Sequence, residues 1–209
     1  MKKILSLLIA MVLTFSSIEA KASVLNTLGT LSYWYSDDVT IGRWNSSFIK
    51  VYKNKLNTNN SFAFLDGVTY ACDSWGYVLG KSISSGINNF YIDNPSIVYY
   101  GGTRAEIIAQ GQFYPYQSDN GLTQPYDYYE GDWTYGSTYK AGVLIYHAEG
   151  CIVDNGRTTA EYKNTCTHEL GHSLGWYGHS LNSLDIMYPL GSSIITLTSN
   201  EKNHLSQVY

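Results

Sequence analysis

His168-Glu169-Leu170-Gly171-His172 places two imidazoles four residues apart with a carboxylate directly after the first. On a helix, positions i and i+4 share a face, so both rings reach one metal ion. Zinc held by neutral nitrogen ligands brings the pKa of a water down toward about 7. Glu169 projects beside the metal, where a carboxylate can take that proton and pass it to a leaving amine. Catalytic zinc usually has three protein ligands. The chain continues Ser173-Leu174-Gly175-Trp176-Tyr177-Gly178-His179-Ser180. Gly175 is free to adopt positive φ, break the helix and turn the chain back under the metal, which makes His179 the third ligand. Further on, Asp185-Ile186-Met187-Tyr188-Pro189 puts a methionine in a tight turn, an apolar floor below the ligands.

HELGHSLGWYGHS followed by DIMYP resembles the metzincin clan of zinc endopeptidases, and within it the matrixin-like branch. The family pattern is HExxHxxGxxH and then a Met-turn. Here the third His stands four residues after Gly175 instead of three, a difference that a one-residue bulge at Gly178 absorbs. The resemblance implies an α+β fold of the zincin type. It has a twisted, mostly parallel five-stranded sheet with an antiparallel edge strand. The sheet packs on an active-site helix and a second helix, and a small C-terminal subdomain carries the Met-turn and a final helix. It also implies one catalytic Zn2+ on His168, His172 and His179, with Glu169 as the catalytic residue. Its substrate, a protein or peptide, is held along the edge strand, which is expected within 111–140.

Other elements follow from local patterns. Leu31–Tyr35, Phe90–Ile92, Ser96–Tyr100, Ala105–Ala109 and Gly142–Tyr146 read as strands. Val68–Ile83 has helical spacing, with Asp66 as an N-cap. A helix opening at Thr158 or Thr159 runs to about Leu174, where Gly175 stops it. Thr198-x-x-Glu201 is a capping box for a last helix with Leu205 and Val208 on its apolar side. Between them, 112–140 is a long surface loop with some extended structure. Its tyrosines either stack on glycan or peptide or simply form a wet loop. Its acids Asp119, Asp127, Glu130 and Asp132 have the chemistry for Ca2+ but no Ca2+-loop spacing. It holds no His for a structural zinc.

Lys2 and Lys3, the apolar run Ile4–Phe15 and Ala20-Lys21-Ala22 form a secretory signal peptide, so 1–22 is a leader and 23–209 one catalytic domain. No cysteine switch is present, and no room for a latency prodomain is expected before the first strand. The apolar run is too short for a permanent membrane anchor. Secretion is expected, or the periplasm in a two-membrane bacterium. Only 14% of the 209 residues are charged and the net charge is −4. This excludes a basic nucleic-acid binder. A monomer is expected.

The secreted setting permits a disulfide, and of Cys72, Cys151 and Cys166 the preferred pair is Cys151–Cys166, a bridge worth about 3 kcal/mol over its short loop. Cys72 is then free or buried, with a zinc-capping thiolate as the sharper alternative. Tyr188 either serves the oxyanion or packs at the rim. Asp185 either hydrogen-bonds a ligand His or forms the turn. His147 is a structural or rim residue after its strand, and His204 a solvated one on the last helix. Two other functions share these residues: a secreted binding or adhesion module on the same fold, for which Glu169 has no use, and a zinc hydrolase of a cell-wall peptide amide.

Overall fold

The computed structural model describes residues 44, 46–87, 96–129, 132–135, 145–176, 178–206 and 209. All belong to the compact unit Leu31–Tyr209. The leader and the strands expected at 31–35 and 90–92 lie outside the described residues, as do 142–144.

Six strands form one mixed sheet in the order β2-β1-β3-β6-β4-β5. They are β1 (Phe48–Lys55), β2 (Ser82–Ile87), β3 (Ser96–Gly102), β4 (Gly121–Tyr129), β5 (Asp132–Tyr135) and β6 (Ile145–Val153). The first four in that order are parallel. β4 runs antiparallel to β6, and β5 pairs with Tyr126–Tyr129 of β4. The mostly parallel α+β architecture with an antiparallel edge is therefore present, with short β5 added to the five strands expected.

Helix α1 (Phe64–Leu79) buries Phe64, Val68, Ala71, Cys72 and Trp75, a stripe at helical spacing. It starts and ends four residues earlier than its periodicity indicates. Ala63, without a side-chain bond, is the N-cap in place of Asp66, and Gly80 closes the helix at φ 60°. Ala105–Ala109, expected as a strand, belongs to helix α2 (Arg104–Ala109). Its Ile-rich composition is strand-like, but Thr103 and Glu106 form a complete capping box, which satisfies two backbone donors that a strand would leave to a neighbour.

The sheet has two unlike faces. Ile97 and Tyr99 of β3 and Ala148 and Ile152 of β6 join the main core with α1 and helix α3 (Thr159–Ser173). Cys151 and Val153 face the other way, onto Ile107 and Phe113. Cys166 lies on α3 in the main core, so the sheet itself separates it from Cys151. All three cysteines are free and buried, and the expected Cys151–Cys166 bridge is absent. Cys72 is a buried thiol on α1, pushed up to about 12 by burial.

Candidate metal centre

Helix α3 positions the cluster. Thr158 Oγ1 accepts from the Glu161 N–H, and Glu161 Oε2 accepts from the Thr158 N–H at 2.8 Å. The helix ends at Leu174, and Gly175 follows at φ 107°. That left-handed backbone lets the Trp176 N–H reach back to Gly171 O at 2.9 Å. Gly178 adopts φ 81° and supplies the extra residue before His179. Indole and phenol donors close the last turns: Trp75 Nε1–H to Thr167 O, Trp44 Nε1–H to Ser173 O and Tyr209 O–H to Leu174 O.

Asn164, Thr165, Thr167, Glu169, His172 and Ser173 are all buried on this helix. A helix buried with so many polar groups is not specified by hydrophobic burial alone. Its polar atoms instead hold the site and the neighbouring chain.

His168, His172 and His179 converge, with one ring nitrogen from each within 4.8 Å of the others. His168 Nδ1 lies 2.8 Å from Ile186 O, and His172 Nδ1 lies 2.8 Å from Trp176 O. A carbonyl only accepts, so each Nδ1 carries the proton and each Nε2 presents a lone pair. Those two Nε2 atoms stand 3.0 Å apart. Burial pulls His168 and His179 down to about 4 and His172 well below its usual value, so a proton is a poor bridge at neutral pH. Facing lone pairs on three neutral imidazoles are the donor set of a metal ion, and the carbonyl partners fix the tautomer as outer-shell groups do in metal sites. The three residues therefore fit a metal.

Glu169 is only 6% exposed. Thr123 Oγ1–H on β4 donates to its Oε2 at 2.7 Å. Burial pushes the carboxyl up to about 8 against the Thr123 bond, and Asp119 adds in the same direction. The opening residue of β4 leaves room for this side chain: a Cβ on Gly121 would stand 2.8 Å from Glu169 Cγ.

Met187 is fully buried, and a Cβ on Gly171 would stand 2.6 Å from its sulfur, so the methionine packs against the helix at the residue before His172. Asp185 accepts from Ser180 Oγ, Asn182 Nδ2 and Thr198 Oγ1. It builds the turn and does not orient a ligand. Glu201 caps the last helix, α4 (Ser199–Ser206), through the Thr198 N–H and also accepts from the Met187 N–H at 2.8 Å. His204, expected in solvent, is 8% exposed against Trp176, with ring centroids 4.1 Å apart, because α4 docks on the chain leaving α3. His147 sits on β6, 3.1 Å from Glu149.

A cleft of about 410 Å3 opens on the site. His168, Glu169 and His179 form part of its wall, Gly121 and Leu122 another, and Tyr188–Gly191 a third. Tyr188 thus lines the same cleft as His168 and His179. Thr123, Glu201 and the Ile186 and Trp176 carbonyls went unnoticed as site groups in the sequence. Only Glu201 carried a signal there, as a helix cap. No protein-family model matches the chain, and no curated protein matches it.

Proposed function

We propose that this chain is a zinc-dependent endopeptidase of the matrixin-like metzincin kind. The observation that carries the reading is three imidazole nitrogens converging beside a buried carboxylate at the wall of an open cleft. His168, His172 and His179 hold the metal. Zinc bound there supplies Lewis acidity toward a peptide carbonyl and a water. Glu169 takes the proton of the attacking water and delivers it to the leaving nitrogen, with Thr123 fixing its Oε2. Gly121–Gln124 has β6 on one side and no strand on the other among the described residues. An extended substrate adds along that free edge, with its scissile bond over His168 and Glu169. The leader sends the enzyme out of the cytoplasm.

The test is a metal cycle. The zinc-loaded chain should cleave a mixed peptide pool, lose that activity to a chelator and regain it with about one zinc per chain. Cleavage that survives complete metal removal would overturn the reading.

A further inference from the structure

Part of the cleft is lined by hydrogen-bond donors that have no acceptor among the described residues. Three polar residues set them. Arg157 Nε–H donates to Asn155 Oδ1 at 2.6 Å, and Asn155 Nδ2–H donates to Asn120 Oδ1 at 3.0 Å. This relay leaves the Asn120 amide nitrogen pointing the other way, where it has no acceptor among the described residues. It lies against Gly191: a Cβ there would stand 2.7 Å from Asn120 Nδ2 and 3.6 Å from Arg157 Nη1. Asn120, Gly191 and Thr165 all line the cleft. Thr165 Oγ1 accepts from Arg157 Nη1 at 2.8 Å, so its own proton is left to donate.

Behind these donors sits a cation, Arg157, whose acidic partner Glu161 lies on the solvent side. Arg157 packs its guanidinium over Tyr162, 5.0 Å from the ring centroid, and its Nη2 is buried with no hydrogen-bond partner among the described residues. Glu161 interacts with it electrostatically, but that carboxylate is solvent-exposed and hydrogen-bonded by Thr158, so it offsets little of the charge on the cleft side. An unpaired buried guanidinium N–H is costly unless something completes it.

Thr165 precedes His168 by three residues and Glu169 by four, so on α3 it shares their face at about 5–6 Å. That is the reach of one side chain from a peptide whose scissile bond lies over His168 and Glu169. The other acid of the cleft, Asp119, does not compete. Its Oδ2 accepts from the Tyr116 N–H and its Oδ1 from Ser118 Oγ, which turns it toward its own loop.

We infer that Asn120, Thr165 and Arg157 form a specificity subsite that selects an acidic side chain, glutamate foremost, in the residue next to the scissile bond. The inference rests on the peptidase reading for the position of the bond, but the subsite itself is a binding property. Glutamate supplies the acceptors that Asn120 and Thr165 lack among the described residues and sets a negative charge on the cleft side of Arg157. Leucine in the same place leaves the Asn120 and Thr165 donors without an acceptor.

The experiment uses the zinc-loaded full chain and two peptides that differ only by Glu against Leu at the selected position. It measures binding by fluorescence titration and cleavage by mass spectrometry over a library. Glu should be enriched beside the cleaved bond, and the Glu peptide should bind at least about tenfold tighter. Arg157→Met should bring that ratio close to one. Because Arg157 also braces the loop before α3, Asn120→Asp serves as a second variant: it keeps the acceptor for Asn155, places a carboxylate against the substrate's and should cut the ratio at least about tenfold. Equal binding of the two peptides, or enrichment of Lys, Arg or large apolar residues, would overturn the subsite. A Glu preference in binding without any cleavage would uphold the subsite and sink the peptidase reading instead.

Discussion

Glu169 and Thr123 act as a unit at the scale of single residues. The hydroxyl holds one carboxylate oxygen at 2.7 Å, and the proposed mechanism uses the other. Thr123→Val removes that bond while nearly keeping the shape. It should lower kcat by about 10- to 100-fold with zinc content unchanged, as loss of such supporting groups does elsewhere. Steady-state kinetics beside metal analysis would check this, and an unaltered kcat would assign Thr123 to packing alone. Met187 is a different case. It touches no reacting atom, but its thioether fills the space under Gly171. Met187→Ala should cost about 2–5 kcal/mol of stability from the cavity it leaves, read by denaturant unfolding of the metal-free chain.

At the scale of elements, helix α3 is legible in the sequence because its signals are local. Thr158 and Glu161, the two histidines and Gly175 speak to one another over three to four residues, and the structure keeps them all. Gly178 and His179 were legible for the same reason. The capping box at Thr103–Glu106 was present in the sequence too, but the isoleucines of α2 also suit a strand, and the cap decides. What local pattern could not carry is pairing across the chain. β4 takes its place only because β6 offers an antiparallel partner, and Cys151 and Cys166 stay apart because they sit on opposite sides of the sheet. Gly175 offers a test at this scale. At φ 107° any side chain is strained, so Gly175→Ala should destabilise the chain by about 1–3 kcal/mol and loosen zinc binding. Thermal unfolding with and without zinc would show whether both fall together.

The whole molecule should respond to pH through its buried imidazoles. His204 is pulled down to about 4 by burial, below the roughly 6.5 of an unfolded histidine. Between those values the unfolded chain binds a proton that the folded chain does not. Stability is therefore full above about 6.5 and falls as the pH drops toward 4. His168 and His179 add to the slope in the metal-free chain. The melting temperature of the metal-free protein should decline steadily from pH 7 to pH 4, and His204→Phe should flatten part of that decline. A melting temperature indifferent to pH over this range would contradict the burial argument. In the zinc-loaded chain the same protons compete with the metal for the ligands, so the proposed activity should fall on acidification together with bound metal.

The most direct measurement compares the zinc-loaded chain with Glu169→Gln in peptide hydrolysis, with zinc content and melting temperature recorded for both. The account predicts equal zinc, a similar fold and a rate lower by at least about two to three orders of magnitude in the variant, because only the proton-accepting oxygen is lost. Hydrolysis by the variant at the wild-type rate, with metal in place, would contradict it.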